Sequence, residues 1–141
     1  MKVYLIGVGM GHRETMTTGA LAAVGECPVL VGAPRLLEPW QEGHECVPLI
    51  AAADIAEFMG TRREGTIGVL LSGDVGFYSG AKKLWPLLER YEVETFPGIS
   101  SLSYFCARLR TPWQDAAVVS AHGRAHNAAG EIQCHEQTYV L

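Results

Sequence analysis

The feature that most constrains the fold is an apolar run that ends in a glycine-rich turn and is followed by a helical pattern. The run occupies residues 67–71, and the turn begins at residues 72–74 with the sequence Ser-Gly-Asp. Two other apolar runs end in the same way, at residues 7–11 and 97–101. Because the ends of parallel strands meet at the carboxyl edge of a sheet, where ligands bind, we expect the three turns to form one site.

The composition is typical of a globular chain that buries an ordinary core. Of 141 residues, 48% are apolar and 18% are charged, which suits one domain, or one domain and the beginning of another. The formal net charge is -4 and no run of Lys and Arg exceeds two residues, so we expect no nucleic-acid partner. No apolar run approaches the roughly 18 residues of a membrane span, so we expect no membrane partner.

The chain contains four scattered cysteines without the paired spacing of a metal site: Cys27, Cys46, Cys106 and Cys134. The first apolar stretch is too short for a signal peptide and runs into glycines, so it is interpreted as a strand. These observations predict reduced thiols in a cytoplasmic protein. A zinc site built from the His and Cys residues near the C-terminus would fit no standard spacing, and we predict no metal.

Strand and helix patterns alternate along the chain. Strands are predicted at residues 3–6, 28–32, 67–71, 93–96 and 116–120, with a brief edge strand at 45–49. Helices are predicted at residues 15–25, 35–40, 51–59, about 79 to 91, and 102–109. Three of them have an apolar face at helical spacing: Met16, Ala20, Ala23 and Val24 in the first, Leu84, Leu87, Leu88 and Tyr91 in the fourth, and Leu102, Phe105, Cys106 and Leu109 in the last. This alternation predicts an α/β fold with a mostly parallel sheet and helices on both of its faces.

A last strand is predicted at residues 137–141, with nothing after it to turn, cover or pair with it. We therefore expect residues 1–121 to form an N-terminal α/β domain. Residues 122–141 are expected to be a linker and the first strand of a second domain that is largely missing. The chain would then be a fragment, or its C-terminus would complete a sheet elsewhere.

The first glycine turn also allows a nucleotide-binding interpretation. Gly7 and Gly9 resemble the opening of a dinucleotide fingerprint, whose third glycine would fall at His12. The acidic residue expected after the second strand is missing as well, because that strand leads into Gly-Ala-Pro at residues 32–34. A nicotinamide-dependent oxidoreductase is therefore a minor alternative, and a turn without any ligand is another.

The motifs taken together resemble the N-terminal domain of the tetrapyrrole methylase family. The matching segments follow in order at residues 3–11, 72–80, 97–101 and 120–124. Within the family, residues 97–104, 112–116 and 122–124 are similar to the members that methylate C5, and in some cases C15, of a corrin precursor in cobalamin biosynthesis. The resemblance implies S-adenosylmethionine (SAM) as methyl donor, a homodimer, and a donor held between two α/β domains. It also implies that C15 chemistry belongs to a separate domain or partner protein.

The resemblance further implies roles for individual residues. The donor is expected to contact the turn at residues 72–80, which we call the central loop, and the start of the helix after residue 100. The residues concerned are Gly73, Asp74, Phe77, Ser100 and Ser101. The tetrapyrrole substrate is expected to contact the first glycine loop: Gly9, Gly11 and His12. The catalytic candidates are His122 and Arg124.

The chemistry of methyl transfer agrees with these roles. A carboxylate beside the sulfonium would stabilise the ground state, so Asp74 is expected to bind the donor away from its sulfur, or else to cap the turn. The free amides at a helix N-terminus near Ser100 suit the donor carboxylate. Arg124 offers bidentate geometry for the acetate and propionate groups of a corrin precursor. His122 offers an imidazole for the proton that the ring loses, and a solvated loop is the alternative.

Two functions follow from this interpretation. The first is a SAM-dependent C-methyltransferase that acts on a corrin-ring precursor. The alternative is a non-catalytic small-molecule-binding or assembly domain left by truncation, because half of a two-domain site would bind the donor weakly.

Overall fold

The computed structural model describes residues 1–121 and 128–141. The chain divides into two compact units, Met1–Ser101 and Leu102–Leu141. None of the helices in the described part of the chain has the length and hydrophobicity that a membrane span requires.

The first unit contains a five-stranded sheet in which every pair of neighbouring strands is parallel. Its strands are β1 (Lys2–Gly7), β2 (Val29–Gly32), β3 (Glu45–Val47), β4 (Thr66–Leu71) and β5 (Glu92–Phe96). They lie in the order β3-β2-β4-β1-β5. The helices of this unit are α1 (Thr18–Gly25), α2 (Pro34–Leu37), α3 (Ala52–Gly60) and α4 (Ala81–Leu84). The predicted α/β class is confirmed.

The sheet is covered on both faces because its strand residues alternate between two hydrophobic cores. Tyr4 and Ile6 of β1 belong to the core that contains buried residues of α1 and α2. Val3 and Leu5 belong to the core that contains buried residues of α3 and α4. Strands buried on both sides are typical of parallel sheets, which is why they are near-continuous apolar runs in the sequence.

The first helix begins three residues later than predicted. Thr17 caps α1, because its Oγ1 accepts a hydrogen bond from the backbone N–H of Ala20 at 3.1 Å. The residues Arg13–Thr15 form a separate 3₁₀ turn. The predicted apolar face of α1 is confirmed, since Ala20, Ala23 and Val24 are all buried.

The helix predicted from about residue 79 to residue 91 is much shorter than expected. α4 ends at Leu84 and is followed by a 3₁₀ turn at Trp85–Leu87. Pro86 lacks the backbone N–H that a continuing α-helix would use. Leu84 and Leu88 are buried as predicted, but Leu87 is 43% exposed. The predicted i, i+3, i+4, i+7 face is therefore confirmed at Leu84 and Leu88 and wrong at Leu87.

The second unit contains a βαβ sequence. Its elements are most of α5 (Ser101–Leu109), β6 (Ala117–Val119), α6 (Ala128–Cys134) and β7 (Thr138–Val140). β6 and β7 pair in parallel as a separate two-stranded sheet, so the last strand pairs with a strand that precedes it, which was not predicted. The helix α6 was not predicted and lies in the segment interpreted as a linker. The domain boundary at residue 121 stays a prediction.

The apolar face predicted for α5 is confirmed only in part. Leu102 and Cys106 are buried, whereas Phe105 and Leu109 are 51% and 54% exposed. The helical spacing of these four apolar residues therefore predicts the helix correctly, but only two of the four side chains are buried.

Candidate functional site

Three strand ends of the first unit meet backbone to backbone at Gly7, Gly73 and Gly98, which we call the glycine junction. A Cβ added to Gly98 would lie 2.1 Å from the carbonyl oxygen of Gly73 and 2.7 Å from the carbonyl carbon and oxygen of Gly7. A Cβ added to Gly7 would lie 2.6 Å from the backbone nitrogen of Gly98. Real Cβ atoms do not approach backbone so closely, so only glycine fits. The three predicted turns therefore converge.

Asp74 connects two of the converging turns through both of its carboxylate oxygens. Oδ1 accepts a hydrogen bond from the backbone N–H of Gly76 at 2.8 Å, a local turn bond that is common for Asp. Oδ2 accepts one from the backbone N–H of Gly98 at 3.1 Å, which crosses from the end of β4 to the end of β5. The carboxylate therefore holds the glycine junction together, and each oxygen keeps a lone pair for one more donor.

The first glycine loop is attached to the same place by an isolated antiparallel bridge. The N–H of Gly73 donates to the carbonyl of Gly9 at 2.8 Å, and the N–H of Gly9 donates back at 3.2 Å. Gly9 has a φ of +57°, and a Cβ there would lie 2.3 Å from the carbonyl oxygen of Thr15. Both the backbone conformation and the close approach therefore require glycine at this position.

Two threonines stabilise the loop that carries His12. Oγ1 of Thr15 accepts from the N–H of Met10 at 3.1 Å and donates to the carbonyl oxygen of His12 at 2.8 Å. Oγ1 of Thr17 donates to the carbonyl oxygen of Pro97 at 3.2 Å, which ties the start of α1 to the end of β5. The side chain of His12 is exposed. The loop backbone is therefore held by side chains that the sequence analysis did not select.

Ser100 and Ser101 lie beside the central loop. A Cβ added to Gly73 would be 3.8 Å from the Cα of Ser100 and 3.8 Å from the backbone nitrogen of Ser101. Ser100 is buried and Ser101 is exposed. The structure thus brings Gly9, Gly73 and both serines together, as the sequence analysis expected.

Phe77 lies on the same loop, three residues after Asp74. Its ring is partly buried and packs edge to face on Tyr78, with the ring centroids 5.0 Å apart. Tyr78 has a φ of +48°, a left-handed conformation that is uncommon for a bulky residue. The tight turn therefore presents two aromatic rings, and the Tyr78 ring is 54% exposed.

The two catalytic candidates, His122 and Arg124, lie outside the described residues, and their roles stay predictions. Within residues 1–121 and 128–141, no three His, Cys, Asp or Glu side chains are grouped as a metal site.

Three residues that shape this region were not among the predicted site residues. Gly7 and Gly98 were within the motifs but were not selected, although a Pro-Gly pair directly after a strand was an available signal. Arg35, at the start of α2, was missed as well. Its Nη2 donates to Oγ of Ser72 at 3.1 Å. No local pattern indicates this bond, because it depends on β2 lying next to β4.

The chain belongs to the tetrapyrrole (corrin/porphyrin) methylases, whose family model matches residues 2–139. The five-stranded parallel sheet is the part of that fold that carries the glycine junction.

Its relatives include enzymes of one type. The chain is 34% identical over 124 residues to the cobalt-precorrin-7 C(5)-methyltransferase of Salmonella typhimurium, covering 85% of this chain and 61% of the relative. It is 27% identical over 148 aligned positions to the probable cobalt-precorrin-7 C(5)-methyltransferase of Methanocaldococcus jannaschii, covering 99% of this chain and 70% of the relative. The chain thus spans between three fifths and seven tenths of the length of these relatives.

Two solved structures have the same fold. The cobalamin biosynthesis precorrin-6Y methylase of Archaeoglobus fulgidus superposes with a TM-score of 0.71 at 25% identity, covering 84% of this chain and 63% of that one. The uroporphyrin-III C-methyltransferase of Thermus thermophilus, solved with S-adenosylhomocysteine, superposes with a TM-score of 0.68 at 25% identity, covering 85% of this chain and 59% of that one.

Proposed function

We propose that the protein is a SAM-dependent methyltransferase that methylates C5 of a corrin precursor of the precorrin-6 or precorrin-7 type in cobalamin biosynthesis. The observation that carries the proposal is the glycine junction at the carboxyl edge of the sheet, within a chain matched almost end to end by the tetrapyrrole methylase model. The names of the relatives from Salmonella and Methanocaldococcus support the C5 position.

The residues at this edge fit a donor of the SAM type. SAM supplies a methyl group on a sulfonium centre. In the proposal, the backbone amides near Ser100 and Ser101 bind the donor carboxylate, as helix N-termini bind anions. Asp74 has lone pairs left over for an ammonium or hydroxyl group of the donor. Gly73 is buried at the start of this loop, and the partly buried ring of Phe77 adds an apolar surface. The Thermus relative solved with S-adenosylhomocysteine supports this choice of ligand.

In the proposal, these residues act mainly by aligning the methyl donor with the ring carbon that accepts the methyl group. Methyl transfer to carbon is an in-line displacement, in which the protein contributes mainly by holding both reactants in register and excluding water. The bridge between Gly9 and Gly73 joins the proposed substrate loop directly to the proposed donor loop. Relative movement of the two loops is therefore restricted before either reactant binds. We propose Gly9, Gly11 and His12 as substrate contacts.

The roles of His122 and Arg124 form a separate part of the proposal. His122 would accept the proton that the ring loses, and Arg124 would bind an acetate or propionate group. Replacing His122 by Ala is expected to lower kcat with little change in substrate affinity, and Arg124→Ala is expected to raise KM. The reverse pattern would contradict both assignments.

The binding experiment comes first. Calorimetric titration with S-adenosylhomocysteine is expected to show binding to the wild-type chain and at least about tenfold weaker binding to Asp74→Ala. Asp54→Ala is the matched control, because Asp54 is an exposed carboxylate on α3, and it should bind like the wild type. Selective binding of a nicotinamide cofactor by the folded chain would contradict the proposal. Donor binding without methyl transfer would favour the non-catalytic alternative.

The proposal extends to the assembly of the protein. The exposed apolar side chains of Phe105 and Leu109, on α5, support a homodimer. Light scattering at micromolar concentration tests this, and a strictly monomeric chain would contradict it. A cytoplasmic location and a C15-methylating, decarboxylating partner are further proposals, and fractionation and co-purification would test them.

A further inference from the structure

The carboxyl end of β2, which we call the exit of β2, is followed by a cationic residue, Arg35, that lies beside the central loop. Arg35 is the second residue of α2, which follows β2 directly. In the order β3-β2-β4-β1-β5, β2 borders β4 on one side, whereas β1 and β5 lie on the other side. Arg35 is therefore at the same carboxyl edge as the glycine junction but on the opposite flank of β4.

A hydrogen bond holds the Arg35 guanidinium in this position. Nη2 donates to Oγ of Ser72 at 3.1 Å, and Ser72 directly precedes Gly73, which is bridged to Gly9. The first glycine loop also lies against α2, because a Cβ added to Gly11 would be 3.6 Å from Cδ2 of Leu36. The cation is thus held next to the loop proposed to contact the tetrapyrrole.

The charge of Arg35 is not compensated within residues 1–121 and 128–141. Lys2 is paired with Glu92 at 3.2 Å and Arg62 is paired with Glu45, but no carboxylate of the described chain lies within 4.0 Å of the Arg35 guanidinium. A guanidinium has five N–H donors, and one of them is used by Ser72. The remaining donors are available to a ligand.

From this geometry we propose that Arg35 binds a side-chain carboxylate of the tetrapyrrole and so determines which part of the ring faces the donor; this inference rests on the proposed function. The guanidinium fork matches a carboxylate bidentately, and corrin precursors carry acetate and propionate groups. The proposed site of the donor carboxylate follows β5, whereas Arg35 follows β2, on the other side of β4.

The test uses two related corrins and four proteins. Dicyanocobyrinic acid, which has free carboxylates, and its methyl ester are titrated into the wild type, Arg35→Gln, Arg35→Lys and Arg90→Gln. Arg90 is the matched control: it loses the same charge, but it packs on Tyr91 just before β5, at the amino edge of the sheet. S-adenosylhomocysteine is titrated into each protein as a check on folding and on the donor site.

We expect Arg35→Gln to bind the free acid about tenfold more weakly than the wild type, with unchanged affinity for S-adenosylhomocysteine. Arg35→Lys should recover part of the loss, Arg90→Gln should show none, and affinity for the ester should not depend on Arg35. Unchanged binding of the free acid by Arg35→Gln would overturn this inference and leave the proposed function intact. Failure of the folded wild type to bind either corrin would overturn both. Loss of S-adenosylhomocysteine binding in folded Arg35→Gln would assign Arg35 to the donor site instead.

Discussion

The glycine junction and the exit of β2 lie at the same edge of one sheet, yet they are built in opposite ways. At the junction, Gly7 and Gly98 lie so close to each other and to the backbone of Gly73 that neither position has room for a side chain. At the exit of β2, the connection to the central loop is a single bond between two side chains, Arg35 and Ser72. Backbone segments that pack directly on each other have one possible arrangement, whereas a long side chain held by one hydrogen bond can change its conformation. The glycine junction therefore suits a ligand of constant shape, and the exit of β2 suits a ligand whose shape varies.

The largest expected effect is at the junction. Gly98→Ala should destabilise the protein by more than about 3 kcal/mol, because its Cβ would meet the Gly73 and Gly7 backbone, which has no room to move. Urea unfolding measures the change. Gly19→Ala is the control: Gly19 is a helical residue of α1 whose added Cβ would lie 4.0 Å from Phe96, so this variant should gain up to about 1 kcal/mol. Equal free energies of unfolding for Gly98→Ala and Gly19→Ala would contradict the close backbone packing that distinguishes the glycine junction from the exit of β2.

A smaller effect is expected when the carboxylate across the junction is changed. Asp74→Asn replaces one acceptor oxygen by an NH₂ group that would face the N–H of Gly76 or Gly98. We expect a loss of about 1–3 kcal/mol in the free energy of unfolding, together with weaker binding of S-adenosylhomocysteine. Full stability with weakened binding would indicate that Asp74 acts only as a ligand and does not hold the junction.

Cys27, just before β2 at the amino edge of the sheet, predicts how the free energy of unfolding depends on pH. Burial raises the pKa of the Cys27 thiol to about 12, whereas an unfolded thiol titrates near 8.5. Between about pH 9 and pH 12 the unfolded state therefore binds fewer protons than the folded state, and stability falls as the pH rises. The cost should reach about 1.4 kcal/mol per pH unit. Unfolding of Cys27→Ala should lack this part of the pH dependence; identical pH profiles for the two proteins would refute the assignment.

The smallest effect on stability is expected at the exit of β2. Ser72→Ala removes the bond to Arg35, and because both side chains are exposed, the free energy of unfolding should change by less than about 0.5 kcal/mol. Affinity for dicyanocobyrinic acid should fall about two- to tenfold. Ser72→Thr keeps a hydroxyl group and should restore the affinity. A large loss of stability in Ser72→Ala would show that this exit is as rigid as the junction.

The positions of the strands could be predicted because a strand buried on both faces is a short apolar run. β4 was expected at residues 67–71 and occupies Thr66–Leu71. The end of α4 could not be predicted from periodicity, because the leucines continue the helical pattern past Pro86 while the backbone does not. The pairing of β6 with β7 was missed for a different reason: no helix was predicted between the two strands, so they were assigned to different domains.

The candidate site was predicted in outline for the same physical reason. Parallel strands end at one edge, so the convergence of Gly9, Gly73 and Ser100 follows from the strand pattern alone. The bond from Asp74 to Gly98 and the bond from Arg35 to Ser72 depend on which strands are neighbours. Strand order is decided by packing of the whole sheet, and no local spacing reports it.

The position of β1 in the sheet has a consequence for how the chain folds as it is synthesised. Among the described strands, β1 pairs with β4 and β5, so that Lys2 is synthesised long before its partners Thr66 and Glu92. At roughly 5–20 residues per second on the ribosome, this largely buried strand remains without these partners for several seconds. Non-local pairing of this kind slows folding, and the nascent chain depends on being kept from aggregation until its fourth strand emerges.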